Sequence, residues 1–224
     1  GSNDGMGTEA KFRYPRGSTL DSSGNLYIAD VDNNLIRKID LSGNVTTWAG
    51  NGDWAHNREE GSKLEVGLAS PAFLVFDSSG NMYVAEDGRS RISKIDTSGN
   101  VTLVSGNGDW GDSTGSKTET QFGHISGMAF DSSGNLFVTD QSHHKIKKLT
   151  FDPGTGAATS SDFAGSGSYE YSDANGTDAS FRHPWGIAID ANDNIFVSDH
   201  NNHNIRKITP SGDVRMDNLA TAGN

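Results

Sequence analysis

Seven histidines and a recurring set of carboxylates are the residues of this chain that could hold a cation or move a proton. His124 and His183 share one register of a repeated pattern, and His144 and His203 share another. Asp30, Glu86, Asp140 and Asp199 each close the same short apolar segment. A zinc site needs three or four such ligands converging on bonds of about 2.0–2.2 Å, so these side chains form one only if the fold gathers them. In "DVDNN" Asp30, Asp32, Asn33 and Asn34 offer hard oxygen donors for calcium, without the glycine and closing glutamate of an EF-hand loop. The competing reading is structural, with each terminal acid capping the next loop by accepting backbone N–H bonds. The chain has no cysteine, which removes disulfides, thiolate metal sites and cysteine nucleophiles. It also lacks G-x-S-x-G, H-E-x-x-H and a P-loop. Apart from the calcium alternative, no cofactor is expected.

The elements that would position these residues are written four times. "DSSGNLYIAD" (21–30) returns as "DSSGNMYVAE", "DSSGNLFVTD" and "DANDNIFVSD", at intervals of 56, 54 and 59 residues. Each copy is preceded by an apolar segment, such as "PAFLVFD", and followed by "LIRKID", "RISKID", "KIKKLT" or "NIRKIT". A fourth segment closes each unit. These are short runs rich in Val, Ile, Thr and aromatics, separated by Gly, Asn, Asp and Ser, which read as strands and turns. No segment sustains a capped helical period. Four antiparallel strands at a period near 50 residues predict an all-β propeller of four blades in one domain over residues 1–224. The blades span about 3–54, 55–110, 111–167 and 168–224. Gly17, Gly127 and Gly186 would let the innermost strands approach one another. Phe73 breaks that pattern, either as a plug or as ordinary packing.

The units resemble NHL repeats. The resemblance rests on aromatic-x-x-Pro-x-Gly, then Asp-x-x-Gly-Asn-aliphatic-aromatic-Val-x-Asp, then Asn-His-x-Ile-Arg-Lys. The fullest copy is "FRHPWGIAIDANDNIFVSDHNNHNIRKI" (181–208). The "AGNG…G…A-x-F-x-x-P" bridge is similar to that of bacterial, often exported, members of the family. That resemblance implies the propeller but leaves the activity open, since the family includes binding, sensing, lyase and hydrolase members. Its lyases place zinc-binding histidines just after the proline. Here those positions are Arg16, Ala72, Ser126 and Trp185, which argues against carrying that activity over. Six blades are usual and four are written here. A single four-bladed monomer is expected, with two chains completing one ring, or a larger ring, as alternatives.

Strand alternation puts the short "DSSGN"-type turns on one face and the long, diverse bridges on the other. Irregular loops on a rigid scaffold usually carry binding, so the bridge face is the expected site. Tyr14, Arg16, Trp54, Trp110, His124, His183 and Trp185 should gather there with Asp30, Asp140 and Asp199. The alternative for Trp54 and Trp110, in "NGDW", is bracing of the bridges. A net charge of −11 disfavours nucleic acid, and no apolar run is long enough to enter a membrane. The expected function is non-enzymatic recognition of a glycan, peptide or protein, at an extracellular, periplasmic or cell-surface location. "GS" at the start reads as a scar, with a natural leader cut away. A lyase or hydrolase using His124, His183, Arg16 and acids is the second reading. An architectural segment of a larger surface protein is the third.

Overall fold

Four antiparallel sheets follow one another along the chain, in a computed structural model that describes residues 1–54 and 60–217. In the first, Pro15–Leu20, Leu26–Asp30, Leu35–Ile39 and Asn44–Ala49 pair in chain order. The second repeats this with Pro71–Phe76, Met82–Glu86, Arg91–Ile95 and Asn100–Ser105. The third holds Ile125–Phe130, Leu136–Asp140, Lys145–Phe151 and Ala158–Ala164. The fourth holds Pro184–Ile189, Ile195–Asp199, Asn204–Ile208 and Asp213–Met216. The all-β expectation holds, and the helices among the described residues are single 3-10 turns of three residues. Part of the first long bridge (55–59) and the expected end of the last strand (218–224) lie outside the described residues.

The chain divides into two compact units, Gly1–Asp109 and Trp110–Asn224, each carrying two blades. The second strand is fully buried in blades two and three (Met82–Glu86 and Leu136–Asp140), flanked by neighbouring strands, while Leu26–Asp30 and Ile195–Asp199 each keep two residues half-buried. In the first unit Tyr27, Ile36, Leu68, Leu74, Val84 and Val101 form a core against Trp48 and Phe76. In the second, Phe137, Ile146, Phe181, Val197 and Ile208 do the same against Phe163 and Ile189. Gly17 is required where innermost strands meet, because a Cβ there would lie 2.5 Å from the Ala72 carbonyl oxygen.

The repeated turns consume their own carboxylates. Asp21 Oδ1 accepts the Ser23 and Asn25 N–H groups at 2.9 Å, and Oδ2 accepts the Asn25 side-chain amide at 2.8 Å. Asp77, Asp131 and Asp190 make the same turn, as an Asp two residues ahead of a turn does. Three blades carry a fifth element that the sequence reading lacked. Gly5–Met6, Gly61–Ser62 and Ala174–Asn175, all in the bridges, add a two-residue strand to the outer edge of their own sheet. In the third blade only an isolated bridge, Ser116 to Thr159, stands there.

Candidate functional site

The acids that end each second strand are all fully buried. Asp30 Oδ1 accepts the Arg13 N–H at 2.7 Å, and Oδ2 accepts Arg37 Nη1 at 3.2 Å. Arg37, itself buried, also donates to Asp4 at 2.6 Å and to two bridge carbonyls. The last blade copies this arrangement: Asp199 holds the Arg182 N–H and Arg206, which reaches Asp173 at 2.6 Å. The second blade makes a coordinated exchange. Its arginine stands two positions earlier, at Arg91, and a longer acid, Glu86, meets it with bonds of 3.0 Å while also taking Ser93 Oγ. Asp140 accepts the Gly123 N–H and His143 Nδ1, the latter at 2.9 Å. These carboxylates therefore tie each bridge to its own blade. Asp30, Asp140 and Asp199, expected among the ligand contacts, are placed in the scaffold rather than at its surface. The oxygens of "DVDNN" also point to separate partners: Asp32 to Arg13, and Asn34 Oδ1 to the Ser70 N–H.

Among the described residues one set, Asp112, Asp140 and His143, brings three ligand-type atoms within 4.8 Å of one another. Asp112 already receives Lys145 Nζ at 2.5 Å and Lys147 Nζ at 2.9 Å. Burial alone would raise the Asp112 pKa, but the two ammonium groups outweigh it and lower it. His143 is pushed up by its hydrogen bond to Asp140. The set is a charge network around two lysines, and those lysines would repel a metal ion.

Arg16, Ala72, Ser126 and Trp185 each follow the start of an innermost strand, where the register of all four first strands slips. Such bulges re-aim side chains. The residue before the strand is left-handed wherever a proline follows: Tyr14 (φ 54°), Ser70 (φ 50°) and His183 (φ 53°). His124 precedes Ile125 and shows no such φ. Non-glycine residues held there store strain, which clusters at functional sites.

In the first unit Arg16 lies 6.0 Å from the Tyr14 ring and 5.7 Å from the Phe73 ring, and 3.7 Å from Asp87. Phe73 is thus packed beneath a guanidinium. Trp54 is exposed and its indole leans on Gly88. In the second unit Trp110 pairs by backbone with Phe122 and stands 5.9 Å from His143.

The densest gathering is also in the second unit. His144, Tyr169 and His183 form a triangle of rings with centroids 5.0–5.3 Å apart. Arg182 covers Tyr169 at 4.5 Å, and Asn201 donates to the Tyr169 hydroxyl at 2.8 Å. Gln141 reaches His183 Nδ1 at 3.3 Å, and the His183 N–H donates to His144 Nδ1 at 3.3 Å. Trp185 continues the patch, 6.3 Å from His124 and 5.7 Å from His200. Its backbone carbonyl is fixed by Thr139 Oγ1 at 2.8 Å. Burial, then the neighbouring His183 and His143, lower the pKa of His144 and favour the neutral acceptor that this arrangement uses.

The NHL-repeat family signature matches residues 181–208. The same strand and turn pattern builds all four sheets. The chain thus carries an NHL repeat at 181–208 within a propeller-like array of four sheets. NHL repeat-containing protein 2 of Homo sapiens is 27% identical over 94% of this NHL chain, which spans only 33% of that relative's length. A streptogramin B lyase structure superposes with a TM-score of 0.65 at 19% identity, over 98% of this chain and 59% of the lyase. An auxiliary nutrient binding protein from Bacteroides ovatus gives 0.66 at 18%, over 93% and 49%. These likenesses establish the fold.

His124, His183 and Trp185, expected on this face, lie in one patch. Arg182, Gln141 and Asn201 were missed. Arg182 directly precedes His183, and Asn201 belongs to the short turn that ends the second strand, so offsets within the repeat were the available signal.

Proposed function

We propose that this NHL chain is a recognition module that binds a peptide segment of a partner protein on the bridge face of its second unit. The reading is carried by the cluster around Tyr169, which keeps 45% of its surface exposed while Arg182, His183 and Asn201 hold its orientation. Tyr, Trp and Arg fixed in place are the residues that dominate protein interfaces. Preorganisation lowers the ordering cost of binding. The burial of all four strand-end acids favours binding over acid–base chemistry, because none is open to a substrate.

A peptide array followed by fluorescence anisotropy on the best sequence tests this. Tyr169→Ala and Trp185→Ala should each weaken binding about 30-fold, the scale of a 2 kcal/mol hot spot. Two variants that bind like the parent would place the ligand elsewhere.

A further inference from the structure

A cleft of about 360 Å³ opens on the opposite face of the first unit, between the hairpin turns of blades one and two. Its floor is aromatic. Tyr27 meets Trp48 edge-on at 5.0 Å and Phe76 at 5.2 Å. Its rim carries the turn acids Asp21, Asp77 and Asp96 and one ammonium, Lys63. Clefts of roughly 300–1,000 Å³ hold small molecules.

The second unit shows why this cleft is open. There the turn of blade four carries Asp193 where the other three blades have Gly24, Gly80 and Gly134. Asp193 accepts the Ser132 N–H at 2.8 Å and the Ser132 hydroxyl at 2.6 Å, clipping the turns of blades three and four together. The corresponding residues of the first unit are Gly80 and Ser22, which line the cleft. With no side chain at position 80, the turns are left unclipped.

The rim selects the occupant. Asp21 accepts four hydrogen bonds and is filled. Among the described residues Asp77 and Asp96 each accept three, leaving one acceptor position of the roughly four on a carboxylate. Lys63 Nζ sits 4.0 Å from the Trp48 ring centre, with no acceptor or carboxylate within bonding distance among the described residues. Its pKa is lowered by burial and by Lys38, consistent with an ammonium short of partners. A cationic ligand would meet Lys63, and an anionic one would meet three carboxylates. A neutral polyol ring needs both signs, because its hydroxyls donate to carboxylates and its oxygens accept from an ammonium. Its C–H faces suit an aromatic floor.

We propose that this cleft is a second binding site, independent of the bridge face, and takes a neutral carbohydrate of one or two rings. Saturation-transfer NMR with maltose and cellobiose tests it, with spermidine and glucuronate as charged controls. Transfer to at least one neutral sugar is expected. Gly80→Asp, which installs the residue that blade four uses, should abolish it while leaving the melting temperature within a few degrees. Trp48→Ala should also abolish it, and Tyr169→Ala should leave it intact. Absence of transfer to both sugars, its survival in Gly80→Asp, or stronger transfer to a charged control would overturn the proposal. Loss in Tyr169→Ala alone would assign the sugar to the bridge face and overturn it equally.

Discussion

The two units are built from the same repeat but fasten their blades differently. On the turn face, blades three and four are clipped by Asp193 and Ser132, whereas Gly80 leaves blades one and two apart. On the bridge face, Asn34 Oδ1 accepts the Ser70 N–H at 3.2 Å in the first unit, and His144 Nδ1 accepts the His183 N–H at 3.3 Å in the second. One clasp is indifferent to pH and the other titrates. The difference teaches that single positions at the blade-to-blade joints set how neighbouring blades are fastened.

What the units share should give the largest effect. Arg37→Ala and Arg206→Ala each leave a fully buried aspartate without its cation. Each should cost about 3–5 kcal/mol in a urea titration, by nearly the same amount. A marked inequality would mean that the two ties are not equivalent.

The turn-face difference should be smaller. Asp193 is left-handed (φ 59°), so Asp193→Gly loses two exposed hydrogen bonds but relieves backbone strain. Net stability should change by less than about 1 kcal/mol. A large loss by thermal melting would show that the clip is structural rather than a gate on a cleft.

The clasp difference is the smallest and the most specific. Burial lowers the pKa of His144, so its contribution is complete above the unfolded value near 6.5 and is lost as pH falls below it. His143 has the opposite sign. Asp140 raises its pKa, so its contribution is complete below about 6.5 and fades as pH rises through the folded value. His144→Asn copies Asn34 and should match the parent at pH 7.5, then become relatively more stable toward pH 5. Parallel stability curves for the two proteins over that range would remove His144 from the clasp.

The blades were legible because their signals are local. Asp-x-x-Gly-Asn encodes a turn within five residues, and the strand pattern needs only its own alternation. The buried acids were half legible. Asp30 with Arg37 and Asp199 with Arg206 share an offset of seven, and strand pairing brings Arg37 opposite Ile28, close to Asp30. The outer two-residue strands were not legible, because Gly5–Met6 or Ala174–Asn175 has no periodicity to read. The turn-face cleft escaped for a different reason. Its turns look alike one at a time, and Gly80 matters only when set beside Ser22 and compared with Asp193 beside Ser132. The His144–Tyr169–His183 triangle joins residues from two blades and a bridge, which the register alone does not bring together.

The short outer strands bear on how this chain behaves at high concentration. The last strand of a sheet presents a row of unpaired N–H and C=O groups on which another molecule can polymerise. In three blades part of that row is covered by the chain's own bridge. The third blade lacks this cover along most of Ala158–Ala164, its longest outer strand. There the segment reads "ATSSDFA", with Thr159 and Ser161 exposed and Asp162 paired to Lys145 and Lys147. Exposed hydroxyls that break the apolar run make such an edge a poor template for fibril growth.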